Sequence, residues 1–291
     1  SIMSGFGGAG AVSAVTAHEE GADVLILEKA PKEGGGTTRI STGYSSIVLD
    51  PDGALEYLHH QVKGLTPDEV FEAYVQEGAT LVDWLDDHGL TYTDVSSVLG
   101  SDYKNWPGSD AFGAVGFTNE DGVNSGTAVF DWATAYMQDN GIEILFDTQA
   151  FQLVQDPETK EVVGVRARHA DGSEIAVHAK KAVIMCTGGF ECNDQMIGNY
   201  LVPSPLAREG WKFNTGDGIK MLMEAGAQIW HMKNQTQSGG FWLGIKVPEY
   251  DSTFMRNFTM AGKSWIEIDS ENKRFYDEAG SYHRQHMKYM E

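Results

Sequence analysis

The chain has 291 residues, 41% of them hydrophobic and 22% charged, enough for one large or two ordinary globular domains. Its 42 acidic residues against 21 Lys plus Arg give a formal charge of -21, a surface that repels nucleic acid and anionic membranes. No apolar run approaches the roughly 20 residues of a membrane span, and Cys186 and Cys192 offer neither a disulfide framework nor metal-ligand spacing. A cytoplasmic protein without a metal site, a nucleic-acid partner or a membrane span is the expectation. Only Ser1–Ser4 precede the first motif. That start reads as trimmed, and an export signal could have gone with it.

That motif is Gly5-Phe6-Gly7-Gly8-Ala9-Gly10, followed by the small-residue run Ala11–Ala17 and by Ala22-Asp23-Val24-Leu25-Ile26-Leu27-Glu28. Strand, tight turn, helix and second strand follow from it. Gly5 lets the chain reverse, Gly7 leaves room for a pyrophosphate, and Gly10 allows close packing of the helix. The helix start, with Gly8 and Ala9 in it, faces the phosphates with its positive end. Glu28 lies 18 positions after Gly10, where a carboxylate accepts hydrogen bonds from ribose hydroxyls. The fingerprint predicts an adenine-dinucleotide site.

After Lys29 comes Gly34-Gly35-Gly36-Thr37-Thr38, then Ser41-Thr42-Gly43. Glycines and hydroxyls together supply N–H and O–H donors without bulk, which suits a second pass along a diphosphate. From Asp52 to Gly89 the pattern is helical. Thr66-Pro67-Asp68-Glu69 predicts a capping box with proline at the first helical position, and Val70, Tyr74, Leu81 and Leu85 a buried stripe ended by Gly89. His59-His60 and Asp86-Asp87-His88 point in divergent directions on a helix and read as solvated faces. Asp94–Ser125 is polar and glycine-rich and predicts a long loop or lid.

A helix over Ala128–Asn140 precedes strands at Ile142–Phe146, Ala150–Val154, Val162–Arg168 and Glu174–His178, read as an antiparallel meander. A buried strand, Ala182–Cys186, then runs into Thr187-Gly188-Gly189-Phe190. Asn214-Thr215-Gly216-Asp217-Gly218 opens another helix; Asp217 either caps it or faces a ribose or ribitol hydroxyl. Trp265–Asp269 reads as a strand before Arg274-Phe275, Glu278 and Tyr282-His283-Arg284.

In this order the motifs resemble the flavoprotein family of soluble fumarate reductases, succinate dehydrogenase flavoprotein subunits, urocanate reductases and 3-ketosteroid dehydrogenases. The resemblance implies an α/β fold. Residues 1–258 would form a doubly wound, Rossmann-like FAD-binding domain with an inserted antiparallel β-meander, and residues 259–291 the start of an α+β capping or substrate domain. It also implies that the chain is C-terminally incomplete.

By the same resemblance, Gly5, Gly7, Gly8, Ala9, Gly10, Glu28, Lys29, Gly35, Gly36, Thr37, Thr38, Ser41, Thr42, Gly43, Ala150, Thr187, Gly188, Gly189 and Asp217 would hold FAD. Thr42 stands where the family usually has glycine. The phosphate loop contains no histidine, which implies noncovalent FAD. The implied reaction exchanges a hydride between flavin N5 and a carbonyl-activated C=C or CH–CH bond of a small molecule, such as an enone, ketosteroid or unsaturated acid. Tyr282 would serve as acid/base or carbonyl donor and Glu278 as an orienter or relay, with an external electron donor or acceptor. Packing by Tyr282 and ion pairing by Glu278 are the structural alternatives. A fumarate-type dicarboxylate reductase, a nicotinamide-binding enzyme and an electron-transfer subunit without a substrate of its own also stay open. For a bulky substrate, Trp106, Phe112, Phe241 and Trp242 are candidate walls.

Overall fold

The first three residues of regular structure, Ile2–Ser4, are buried on both faces and form β1 at the centre of a parallel sheet. The computed structural model describes residues 1–32, 34–62, 64–97, 101, 103–201, 210–230, 232, 242–246, 253–257, 268 and 271–274. The boundary expected at residue 258 and the positions of Phe241, Glu278 and Tyr282 lie outside the described residues, as does all but Ile268 of the strand expected at Trp265–Asp269. The described residues fall into two compact units, Ser1–Thr37 with Tyr136–Glu291, and Thr38–Ala135.

In chain order β1 leads through α1 (Gly8–Glu19) to β2 (Leu25–Leu27) and α2 (Gly36–Ile40). Next come β3 (Tyr44–Val48), α3 (Pro51–Val62), α4 (Asp68–Asp87), β4 (Tyr92–Asp94), β5 (Phe112–Phe117) and α5 (Gly126–Asp139). β6 (Glu143–Leu145), β7 (Thr148–Gln155), β8 (Val162–His169), β9 (Glu174–His178) and β10 (Val183–Met185) follow. The described elements end with α6 (Asp194–Tyr200), α7 (Asp217–Glu224), β11 (Trp242–Lys246) and β12 (Thr253–Asn257), the last two an antiparallel pair.

In the first unit the sheet order is β10-β1-β2-β6, all parallel, with Ile2 opposite both Leu25 and Val183 and Leu25 opposite Glu143. A parallel pair needs a crossover, and α1 supplies it for β1 and β2. The buried residues of that helix are Gly10, Ala11, Ala14 and Val15, small enough to let it approach the strands closely. β7, β8 and β9 form the expected antiparallel meander. Its reversals use Asx turns: Asp156 Oδ1 accepts from the Glu158 and Thr159 N–H, and Asp171 Oδ1 from the Ser173 N–H. The inner face packs Ala150, Leu153, Val165 and Ala167 with Ile2, Leu27 and Met221, so sheet, meander and α7 share one apolar core.

Two strand expectations need correction. β6 belongs to the parallel sheet and not to the meander, because its register partner is β2. β10 is an outer strand of that sheet and only half-buried, not a buried one.

In the second unit, β5 lies between β3 and β4 in an antiparallel sheet covered by α3 and α4. The segment expected to be a long loop therefore holds the central strand, whose Gly113, Ala114 and Val115 are buried. The buried face of α4 also differs from the expected stripe. Phe71, Val75 and Leu85 are buried, whereas Val70 and Tyr74 are exposed. Nor does a capping box form: Pro67 is the N-cap, not the first helical residue, and the cap makes no side-chain hydrogen bond. Trp106 and Phe112 both pack against Tyr57.

Candidate active site

The carboxyl ends of β1, β2 and β10 are adjacent, and each continues into one of the motifs singled out above. In open parallel sheets this edge is where ligands bind. Gly5 leaves β1 with φ 108°, and a Cβ there would overlap the Cys186 carbonyl that follows β10. A Cβ at Gly10 would likewise overlap the Gly5 carbonyl. Two fingerprint glycines are thus required by backbone packing.

Gly7 is the N-cap of α1; it makes no side-chain cap bond, and the first helical turn carries no acid. The positive pole of the helix is therefore not offset by a carboxylate of that turn, which suits an anion beside Gly8 and Ala9. A Cβ at Gly36 would lie 3.7 Å from the Gly7 Cα, so the second glycine loop runs against the first. Gly35 and Gly36 both take positive φ, 102° and 60°.

Glu28 follows β2 and is only 7% exposed. Its Oε2 accepts from the Phe6 N–H at 2.6 Å and its Oε1 from the Ala30 N–H at 2.7 Å. Burial pushes its carboxyl pKa up, against the lowering effect of those two hydrogen bonds and of the Lys29 charge. Each carboxylate oxygen keeps a second lone-pair direction, so the anchored group can still accept from ribose hydroxyls.

Lys29 reaches a different set of partners. Its Nζ donates to Asp217 Oδ2 at 2.8 Å, to Thr215 Oγ1 at 2.6 Å and to the Phe213 carbonyl at 3.3 Å. Asp217 also accepts from Gln149 Nε2 at 2.8 Å and Thr215 Oγ1 at 3.0 Å. The N-cap of α7 is Gly216, with φ 78°, so Asp217 is the first helical residue and not the cap. Ala150 is 7% exposed with its side chain in the apolar core, so what it offers a ligand is backbone. Thr187 packs its hydroxyl against Gly218, where any Cβ would collide with it. Gly188 has φ 69°, and the Gly189 carbonyl accepts from the Gly216 N–H at 3.1 Å.

The first unit thus brings together Gly5–Gly10, Glu28, Lys29, Gly35–Thr37, Ala150, Thr187–Gly189 and Asp217. In the second unit, Ser41 Oγ donates to the Thr38 carbonyl at 2.7 Å and accepts from the Gly43 N–H at 3.2 Å. Gly43 is held at φ 76° against the Ser125 backbone, and Thr42 is exposed.

Three polar partners in the first unit were not assigned a role from sequence. Gln149 holds Asp217, and the period-two alternation that buries Ala150 turns its neighbour outward. Asn214 and Glu191 bridge segments far apart in the chain, which no local pattern announces. Elsewhere, His59 and His60 pack against Phe71 and Trp106, and His88 stacks on Trp84. No group of three or more potential metal ligands occurs among the described residues, and no described helix is long and apolar enough to cross a membrane.

This glycine cradle with a buried acid fits a dinucleotide, and comparison with known proteins identifies which. The family model described as FAD binding domain matches residues 2–290. The chain is 26% identical over 290 residues to an NADH:fumarate oxidoreductase of Klebsiella pneumoniae (strain 342), covering 95% of this chain and 29% of that protein. It is also 26% identical over 303 residues to a vinyl phenol reductase of Lactiplantibacillus plantarum, covering 97% of this chain and 57% of that one. Among solved structures, a 3-ketosteroid delta1-dehydrogenase from Sterolibacterium denitrificans superposes with a TM-score of 0.75 at 20% identity. The match covers 87% of this chain and 58% of that one. This chain thus spans well under two thirds of each of these proteins. It belongs to the FAD binding domain family, and FAD is its cofactor.

Proposed function

We propose that this chain is the FAD-binding part of an oxidoreductase that exchanges a hydride with an activated C=C or CH–CH bond of a small molecule. The observation that carries the cofactor half of the reading is Glu28, a buried carboxylate locked by two backbone N–H groups beside the fingerprint glycines. In this reading Glu28 accepts from the ribose, and Gly7, Gly8, Ala9 and Gly10 approach the pyrophosphate. Gly35–Gly36 with Thr37, Thr38, Ser41, Thr42 and Gly43 line its continuation. Thr187–Gly189, Lys29, Asp217 and the Ala150 backbone complete the cradle. FAD, once bound, supplies hydride transfer, and the protein's work is binding, orientation and proton handling. Without a histidine between Gly34 and Gly43, attachment is noncovalent.

The substrate class is drawn from the relatives, named for fumarate, vinyl phenol and 3-oxosteroids. Each of these substrates has a C=C, or a CH–CH bond that becomes one, conjugated with a carbonyl or an aromatic ring. Tyr282 as acid/base or carbonyl donor and Glu278 as an orienter or relay remain part of this proposal. An external electron donor or acceptor completes the reaction. The test is anaerobic: reduce the flavin of the purified native protein, then add fumarate, a vinyl phenol or a 3-ketosteroid one at a time. Return of the oxidised visible bands with one of them supports the proposal. A reduced flavin that none of these unsaturated compounds reoxidises, together with an oxidised flavin that none of their saturated CH–CH counterparts bleaches, favours an electron-transfer subunit.

A further inference from the structure

A cluster beside the cofactor cradle joins Thr37 of the second glycine motif to two side chains, Asn214 and Glu191, to which no motif assigned a function. Asn214 is 8% exposed. Its Nδ2 donates to Glu191 Oε1 at 2.6 Å and to Thr37 Oγ1 at 3.0 Å. The Thr37 hydroxyl also accepts from the Trp211 N–H at 3.2 Å and reaches Glu191 Oε1 at 3.5 Å, the outer limit of a hydrogen bond. The glycines around the cluster leave space for it. A Cβ at Gly188 would lie 2.7 Å from Asn214 Oδ1, and one at Gly189 would lie 2.7 Å from Glu191 Oε2. One at Gly210 would overlap Glu191 Oε1.

Backbone bonds reinforce the junction: Cys192 N–H to the Asn214 carbonyl at 3.0 Å, and Gly216 N–H to that of Gly189. Asn193 Nδ2 donates to the Thr215 carbonyl at 2.9 Å. The segments so joined are the start of α2 at Thr37, the stretch from Thr187 to Glu191 and the approach to α7.

The geometry points to Asn214, with Glu191 and Thr37, as a clasp that pre-orders these loops for FAD. It rests on the FAD assignment and deepens it by adding positioning residues. Ordering a loop residue costs about 1–2 kcal/mol of conformational entropy. A clasp formed before FAD arrives removes part of that cost from binding.

The clasp has a polarity that can be reversed. In Asn214→Asp the donor becomes a second carboxyl group facing Glu191; at alkaline pH, where the two do not share a proton, the bond is lost without a change of shape. In Asn214→Asp with Glu191→Gln, the glutamine amide donates to the new carboxylate, the Thr37 hydroxyl can donate to it as well, and the total charge of the pair is as in the wild type. FAD is stripped from each purified holoprotein and its Kd measured at alkaline pH by quenching of flavin fluorescence, alongside the melting temperature of the stripped protein.

Expected are a Kd at least about tenfold weaker for Asn214→Asp, from the lost charge-assisted bond, and recovery to within about threefold in the double variant. A folded Asn214→Asp protein with wild-type Kd overturns the clasp, even if its melting temperature drops, because a purely structural role would show that pattern. A double variant no better than the single one also overturns it. Should Asn214→Asp fail to fold, Glu191→Ala keeps the Asn214–Thr37 bond and must weaken FAD binding; an unchanged Kd there is equally fatal. Wild-type protein that releases no FAD on stripping and takes up none when FAD is added refutes the cofactor assignment itself, before any variant is compared.

Discussion

Replacing Glu28 by Gln probes the centre of the cradle. The carboxylate accepts two short backbone hydrogen bonds, from Phe6 at 2.6 Å and Ala30 at 2.7 Å, at 7% exposure. Glutamine offers one acceptor oxygen and one NH2 group, so one backbone N–H faces another donor. A hydrogen bond to a charged group contributes about 1.5–3 kcal/mol, and a buried donor left unmet costs about 1–3 kcal/mol. Burial opposes the ionised form of Glu28, and the neutral amide recovers part of that. The net expectation for Glu28→Gln is a loss of about 2 kcal/mol in the stripped protein.

FAD binding should weaken further, by about 10-fold to 100-fold, because the ribose loses an anionic acceptor. The pH dependence carries a sign. Ribose hydroxyls prefer the ionised carboxylate, so wild-type affinity falls as pH drops through a value raised above the ordinary 4.5, and Glu28→Gln is flat there. The stripped fold behaves oppositely. Its Glu28 holds a proton more tightly than the unfolded chain does, so this group's contribution to stability declines as pH rises from 4.5 through the raised native value. Urea unfolding and FAD titration across that window test both. Glu28→Gln with wild-type stability and an FAD Kd within twofold of wild type would show that the Glu28 carboxylate neither anchors the loop nor meets the ribose.

Gly10→Ala places a methyl group on the Gly5 carbonyl and should lower stability by about 1–3 kcal/mol, with a matching loss of bound flavin after purification; unchanged urea midpoint and flavin content would contradict the packing argument. Lys29→Met leaves Gln149 and Thr215 on Asp217 but removes a cation whose side chain is 25% exposed, and should cost about 1–2 kcal/mol by urea unfolding. Tyr282→Phe should reduce turnover by about 10²–10⁴-fold with flavin content unchanged, the range for a lost general acid or base. A variant with full turnover would return Tyr282 to packing.

The first βαβ unit was legible in the sequence because each step of its fingerprint has a local cause: positive φ at Gly5, small residues on α1, an acid at the end of β2. β6 was visible as a strand but not its partner, since a three-residue strand with two apolar side chains does not say whether its neighbour is parallel. On α4 the expected stripe used Val70 and Tyr74, whereas Phe71 and Val75, one position on, face the core. In a helix with apolar residues at both offsets, periodicity alone cannot choose. β5 was hidden by its glycines, which read as loop although their lack of side chains is what the crowded sheet requires: Gly113 and Gly116 have Ser96 and Asn124 where a Cβ would stand. In the site, Glu28 was found from spacing. The bonds of Asn214 to Thr37, 177 positions away, and to Glu191, 23 away, belong to tertiary structure alone.

Noncovalent FAD in the cradle around Glu28 is tested most directly by a visible absorption spectrum of the purified native protein before and after acid precipitation. The expected result is a flavin spectrum, with the pigment released to the supernatant as FAD. Pigment kept in the pellet would contradict noncovalent attachment, and a colourless protein that resists reconstitution with FAD would contradict FAD binding as a whole.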